Sequence, residues 1–279
     1  MKFQDVDKAF AAHHTDQFRL GMPHMSAKGV RQSWLLREAC HRHWTSIAMQ
    51  MGVNPSEFRD KSGARVLASV VACSTRGDAN SFREDDLCTL YMVERPTAKN
   101  GWRSQLDLRA EGKSLIAEIV TSFARRNGQK NATIEAADLE DCFDVDRTAE
   151  TARRASLMRT LGKRDRDRAA ADTSPPHLSF DIDADAHLNG VGLVYFASIH
   201  DMVARAETNA VPELVAAYPM RNRRLHFFGN IDAGDTLGFV VRASVQAFSP
   251  TPSVVVQSHA RRASDGVVIA CGESIYGLE

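Results

Sequence analysis

The chain has 279 residues, of which 43% are hydrophobic and 25% are charged, and both values are typical of a globular protein. Its 35 Lys and Arg residues balance 35 Asp and Glu residues, so the formal net charge is zero. A zero net charge argues against nucleic acid and against an anionic membrane surface as partners, since both attract basic proteins.

The cysteines and the hydropathy pattern bear on the compartment. Five cysteines are scattered along the chain without a Cys-x-x-Cys pair, so we expect neither a zinc site nor a disulfide framework. The N-terminal residues lack the apolar core of a secretory signal peptide. No apolar run approaches the roughly 18 residues that a membrane span needs. We therefore expect a cytoplasmic protein that holds no metal.

The first half of the chain predicts a long helix followed by four strands. A short extended segment over Phe18–Met25 leads to a helix over Arg31–Met51, where apolar residues recur with helical spacing. Ser26 is the expected N-cap of this helix, and Gly52 is its expected stop. The predicted strands, which turn residues separate, are Arg65–Cys73, Leu87–Glu94, Trp102–Leu108 and Ser114–Ala124.

Residues 126–176 predict a charged connector. They mix charged residues with alanine, as in Lys163–Arg168, which is typical of an exposed helix or a mobile linker. Pro175 and Pro176 end this segment because proline cannot continue a helix. A docking surface for a carrier protein is the alternative interpretation.

The second half repeats the pattern of the first. An extended segment over His177–Asp183 leads to a predicted helix that starts at Asn189-Gly190-Val191 and ends near Ala206. An offset of 161 residues aligns Gly29 with Gly190 and Trp34 with Tyr195. The predicted strands that follow are Arg224–Asn230, Thr236–Phe248, Ser253–Arg262 and Val267–Tyr276.

A long helix that buries its apolar stripe against a curved antiparallel sheet is the hot-dog arrangement. Because the chain carries this pattern twice, we predict an α+β protein with a double hot-dog fold. The predicted organisation is an N-terminal unit over 1–125, the connector over 126–176 and a C-terminal unit over 177–279.

Residues 181–196 resemble the signature of hot-dog thioesterases of the 4-hydroxybenzoyl-CoA type. That signature reads roughly Asp-x-Asp-x-x-Gly-His-x-Asn-Asn, and its second Asp is catalytic. Asp183, His187 and Asn189 fall in register with its second Asp, its His and its first Asn, whereas Ala186 and Gly190 depart from it. The resemblance implies a thioesterase that uses Asp183 as its base or nucleophile.

Nearly the whole chain also resembles the LnmK-type proteins of polyketide biosynthesis. The residues that carry this likeness include Leu20–Met25, Trp34–Glu38, Asn189–Ser198 and Phe227–Asn230. The likeness implies an acyltransferase and decarboxylase that acts on methylmalonyl-CoA and loads an acyl carrier protein, with no permanently bound cofactor. The tyrosine proposed to accept the acyl group in that family lies in the strand after the first helix, and Arg65–Cys73 contains no tyrosine.

The candidate site residues surround the predicted start of the second helix. A thioester carbonyl gains negative charge during hydrolysis or enolate formation, and backbone N–H groups at a helix start would stabilise it. Asn189, Gly190 and Val191 are the expected donors, and Gly190 would let the carbonyl approach closely. His187 is expected to orient the carbonyl or to protonate a product. His24 precedes the first helix in the same way, but the offset places Met22 opposite Asp183.

A coenzyme A or phosphopantetheine thioester would need further contacts. Arg223 and Arg224 are expected at its phosphates, and Asn230 at one of its amides. The expected partners are acyl-CoA or an acyl carrier protein, and the chain is a candidate homodimer. A dehydratase or cyclase on a carrier-bound intermediate and a catalytically silent carrier-binding protein are the remaining interpretations.

Overall fold

The computed structural model describes residues 14–98, 101–128, 131–139, 149–246 and 253–277. The chain divides into two compact units. The first consists of Met1–Ser69, Asp78–Arg125 and Ala136–Ala155, and the second of Val70–Gly77, Arg126–Glu135 and Ser156–Glu279. No helix in the described ranges is both long and apolar enough to cross a bilayer.

The first half begins with a strand and one long helix, in the predicted order, and a small hairpin that was not predicted lies between them. Four longer strands follow, and β1, β5, β6 and β7 pair antiparallel in that order. The bounds are β1 His14–Arg19, β2 Met25–Ser26, β3 Gly29–Val30, α1 Gln32–Gln50, β4 Leu67–Gly77, β5 Leu87–Ala98, β6 Gly101–Ala110, β7 Lys113–Arg126 and β8 Ile134–Ala136.

Helix α1 buries one face, which includes Leu35, Leu36, Ala39 and Ile47. The predicted helix bounds differ from the observed ones by a single residue at each end. Gly52 adopts a positive φ of 67° directly after the helix, as its predicted role as a stop requires. The predicted N-cap was wrong, because Arg31 precedes the helix and the Ser26 hydroxyl donates to the Gly29 carbonyl within the β2–β3 turn.

His43 on α1 is fully buried in the first unit. Its ring nitrogens form hydrogen bonds with Ser104 Oγ on β6 at 2.7 Å and with Thr121 Oγ1 on β7 at 2.8 Å. Burial lowers the pKa of His43 to about 3, because a charged imidazolium loses its hydration in the core. The ring is therefore neutral in the folded protein throughout the physiological range.

The depressed pKa of His43 predicts a loss of stability in acid. In the unfolded chain His43 takes up a proton below pH ~6.5, whereas in the folded chain it does not. The contribution of the neutral ring to the free energy of unfolding is therefore present above that pH and falls as the pH decreases toward 3. Between pH 7 and pH 5 this one histidine should cost about 2 kcal/mol. Chemical denaturation of the wild type and of His43→Gln at both pH values measures the effect, because buried His200 contributes equally to both proteins. An unchanged pH dependence in His43→Gln would contradict the assignment.

The second half repeats the succession of a strand, a long helix and four longer strands. Residues Ala72–Arg76 of β4 pair with β10, and the antiparallel order continues β10, β13, β12, β11 and β9. The bounds are α2 Ala149–Ala171, β9 Leu178–Asp181, α3 Ala184–His187, α4 Phe196–Ala210, α5 Pro212–Ala217, β10 Met220–Phe227, β11 Thr236–Gln246, β12 Ser253–Arg262 and β13 Val268–Gly277.

Helix α2 lies in the segment predicted as a connector. Its residues from Ser156 onward belong to the second unit and include buried Gly162, Asp165 and Ala169. Asp165 lies 3.3 Å from Arg168 and 3.7 Å from both Arg224 and the Nδ1 of His226. The charged segment therefore contains a helix with a buried face and not only a solvated linker.

Each unit uses the same main-chain hydrogen bonds to lead from its first strand into its long helix. Leu20 N–H donates to Asp86 O, and Arg31 N–H donates to His24 O. In the second unit, Ile182 N–H correspondingly donates to Asp235 O, and Tyr195 N–H donates to His187 O. Along this turn the offset is therefore 162 to 164 residues and not the predicted 161, and it is 149 residues between the acceptors Asp86 and Asp235.

Candidate functional site

The candidate site lies on an exposed turn between β9 and α4. Asp183 caps the short helix α3, since its Oδ1 accepts the N–H of Ala186 at 2.8 Å. The second carboxylate oxygen, Oδ2, has no hydrogen-bond partner within the described ranges. Asp183 is exposed, so a water molecule or a ligand can reach this oxygen.

The ring of His187 is held in one tautomer. Its Nδ1 accepts the backbone N–H of Asp183 at 2.9 Å. Because Nδ1 acts as an acceptor, the neutral ring carries its proton on Nε2. Nε2 has no partner among the residues that the structure describes, and His187 is half-buried. The turn thus presents a carboxylate oxygen and an imidazole N–H donor within five residues.

Asn189 organises the loop that follows instead of starting a helix. Its Oδ1 accepts the N–H groups of Val191 and Leu193, each at 3.1 Å, and its backbone N–H donates to Leu193 O. Helix α4 begins only at Phe196, with Tyr195 as its N-cap. The expected helix start at Asn189 was wrong, and the N–H of Val191 is already bonded, so it is not an available donor for a thioester carbonyl.

Gly190 lies at the exposed tip of this loop. A Cβ placed on it would have no heavy atom within 4 Å, so the space above it is open. The backbone N–H of Gly190 has no hydrogen-bond partner in the described part of the chain. Of the three amides expected to bind the carbonyl, that of Gly190 therefore remains available.

Three further side chains hold the loop, and the sequence pointed to only one of them. Asn230 was expected to contact a ligand amide, but its Oδ1 accepts Val194 N–H at 3.1 Å and Ile231 N–H at 2.9 Å. The other two, Arg126 and Asn131, donate to the carbonyls of Val191 and Gly192. No sequence signal marked them, because Arg126 ends β7, Asn131 follows it, and both approach the loop only in the folded unit.

His24 occupies the equivalent position in the first unit but has different neighbours. Its Nδ1 accepts the N–H of Gly21 at 2.9 Å, as His187 accepts that of Asp183. Gly21 therefore stands opposite Asp183, and the expected register with Met22 was wrong. The ring of His24 packs 4.6 Å from that of Trp34 and 5.5 Å from that of Phe18. In this unit the histidine lacks the adjacent carboxylate and contributes to aromatic packing.

The predicted phosphate-binding arginines are both engaged with acidic residues. Arg223 is buried, with one guanidinium nitrogen 2.5 Å from Glu207 Oε2 and its Nε donating to Ser274 Oγ. Arg224 lies 3.4 Å from Glu273. The assignment of Arg223 to a coenzyme A phosphate was wrong because alternation along β10 points it toward α4. Arg224 is half-buried and its charge is compensated.

The solved structures that this chain resembles include three thioesterases. A protein described as an oleoyl thioesterase from Lactobacillus plantarum has a TM-score of 0.66 at 10% identity, over 97% of this chain and 98% of that one. A 12:0-ACP thioesterase from Umbellularia californica has a TM-score of 0.60 at 9% identity, over 95% of this chain and 94% of that one. An acyl-ACP thioesterase from Bacteroides thetaiotaomicron has a TM-score of 0.55 at 10% identity, over 95% of this chain and 97% of that one.

No protein-family model and no curated protein matches the sequence. Identities near 10% establish likeness of fold alone, and here that likeness extends over nearly the full length of each chain. Together with the repeated helix-and-sheet pattern of the two units, it confirms the predicted double hot-dog fold.

Proposed function

We propose that the protein hydrolyses acyl thioesters at the Asp183–His187 turn. The observation that carries the proposal is the hydrogen bond from Asp183 N–H to His187 Nδ1. It leaves the Nε2–H of His187 without a partner among the described residues, four positions from a carboxylate with one oxygen unpaired there. A general base and an oxyanion donor are the two groups that hydrolysis of a thioester requires. The solved thioesterases that share the fold support the same reaction class.

The reaction follows from these two groups. The Asp183 carboxylate takes a proton from water, and the resulting hydroxide attacks the thioester carbon. The carbonyl oxygen becomes an oxyanion that accepts the Nε2–H of His187 and lies over the open face of Gly190. The carbon–sulfur bond then breaks, the sulfur takes the proton back from Asp183, and the products are a free acid and a thiol.

The likeness to the solved thioesterases and the resemblance to LnmK-type proteins both support a class of substrate. We expect a coenzyme A or acyl-carrier-protein thioester. Decarboxylation of a methylmalonyl thioester, as in a polyketide pathway, is the second candidate because an enolate oxygen would accept the Nε2–H of His187 equally well. That route needs no nucleophile, so it is compatible with the absence of a tyrosine in the strand after the first long helix.

Product identification distinguishes the two reactions. The protein is incubated separately with a saturated long-chain acyl-CoA and with methylmalonyl-CoA, and the products are followed by mass spectrometry. Release of the free acid and coenzyme A is the expected result. Formation of propionyl-CoA from methylmalonyl-CoA without free acid would support decarboxylation and contradict hydrolysis. Turnover of neither substrate, nor of the corresponding carrier-protein thioesters, would contradict both.

A further inference from the structure

Within the loop between α3 and α4, Asn189 accepts three backbone N–H groups, but two of the loop carbonyls have no donor inside the loop. Asn189 accepts the N–H groups of Val191 and Leu193 through its side chain, and that of Gly192 through its backbone carbonyl. The carbonyls of Val191 and Gly192 are left for partners outside the loop. Two side chains, Arg126 at the end of β7 and Asn131 after it, supply the donors within the second unit.

Asn131 is the better buried of these donors, with 5% of its surface exposed. Its Nδ2 donates to Gly192 O at 2.8 Å and to Ile231 O at 3.0 Å, so both amide hydrogens are used. Its backbone N–H donates to Asp232 Oδ1 at 2.9 Å. Asn131 thus ties the loop to the connection between β10 and β11.

Arg126 completes the arrangement. One of its guanidinium nitrogens donates to Val191 O at 2.7 Å and to Asn131 Oδ1 at 3.0 Å. No carboxylate in the described ranges lies within ion-pair distance of Arg126. Its position is therefore set by the loop carbonyl and by Asn131, and not by an acidic partner.

We propose that Arg126 and Asn131 are positioning residues, which fix the 188–194 loop so that Gly190 and His187 hold a constant geometry relative to Asp183. The loop begins next to His187 and ends at Tyr195, whose N–H donates to His187 O at 2.9 Å. A shift of the loop therefore moves both the oxyanion donors and the imidazole. This inference rests on the proposed thioester chemistry at the same turn.

Replacement of the positioning side chains should affect turnover more than substrate binding. Asn131→Ala and Arg126→Met should each lower kcat by about 10- to 100-fold with KM changed by less than about threefold, since small displacements of reacting groups cost this much in rate. Arg126→Lys retains a donor that can reach Val191 O, and it should recover part of the lost kcat. A purely structural role would lower the melting temperature without this recovery.

Arg125→Met is the matched control. Arg125 is the sequence neighbour of Arg126, but it belongs to the first unit and pairs with Asp60 at 3.1 Å. Its replacement removes the same charge and should leave kcat unchanged. Hydrogen exchange of the backbone amides of 190–195 gives a readout that needs no activity, and it should accelerate in Asn131→Ala but not in Arg125→Met.

The outcomes separate this inference from the proposed function. Wild-type activity combined with unchanged kcat and unchanged amide exchange in Asn131→Ala and Arg126→Met would overturn the positioning role and leave the hydrolase proposal intact. An inactive wild type would overturn the hydrolase proposal, and amide exchange alone would then decide whether the two residues hold the loop.

Discussion

Asp183→Asn is expected to lower kcat/KM for acyl-thioester hydrolysis by about 10²- to 10⁴-fold, the usual contribution of a general base. The fold should not be affected, because the asparagine side-chain oxygen can still accept the N–H of Ala186 and cap α3 as Asp183 Oδ1 does at 2.8 Å. The variant thus removes the proton acceptor and keeps the turn. Steady-state kinetics with the substrate found in the product assay measure the effect.

Asp185→Asn is the control for the loss of charge at this turn. Asp185 is exposed on α3 two residues after Asp183, and its replacement should change kcat/KM by less than about twofold, since exposed charges are strongly screened. Asp183→Ala should match Asp183→Asn in activity but also lose about 1 kcal/mol of stability with the cap. Equal activity of Asp183→Asn and the wild type would rule out Asp183 as the base.

Glu207→Ala should destabilise the second unit by about 3–5 kcal/mol, the typical cost of removing one partner from a buried ion pair. Glu207 on α4 is fully buried. Its Oε2 accepts from Arg223 at 2.5 Å and from the Tyr276 hydroxyl at 2.6 Å, and its Oε1 accepts from Ser274 at 2.7 Å. Removal of the carboxylate leaves the Arg223 guanidinium buried without a counter-charge.

The double variant Glu207→Ala/Arg223→Met isolates the charge effect. A neutral aliphatic side chain at position 223 removes the uncompensated cation, so the double variant should be more stable than Glu207→Ala alone. Denaturant unfolding of the wild type, the single variant and the double variant, followed by an aromatic signal and by circular dichroism, compares their free energies of unfolding. A double variant less stable than the single one would show that packing, and not the buried charge, dominates at this position.

Most strands and the helices α1 and α4 could be predicted from the sequence because their patterns are local, whereas α2 lies in the segment predicted as a connector. The strands from Thr236 and Ser253 begin at the predicted residues. The start of α4 was misplaced by about seven residues. An asparagine that accepts N–H groups two and four residues later produces the same sequence signal as an N-cap. Only the folded loop distinguishes the two arrangements.

The candidate site could be predicted in part, because some of its residues are close together in the sequence. Asp183 and His187 lie four residues apart, so their spacing alone suggested a shared turn. Arg126 and Asn131 lie about 60 residues before the loop, and nothing local relates them to it. Arg223 was misassigned because a run of basic residues suggested a surface, whereas strand alternation directs every second side chain into the core.

The main-chain hydrogen bonds shared by the two units have an evolutionary consequence. The hydrogen-bonded frame of each copy, over 20–31 and over 182–195, consists almost entirely of backbone groups, with one histidine ring in each copy. Substitutions elsewhere on either turn leave this frame in place. One copy can therefore carry aromatic packing around His24 and the other an acid at Asp183 on the same main-chain architecture.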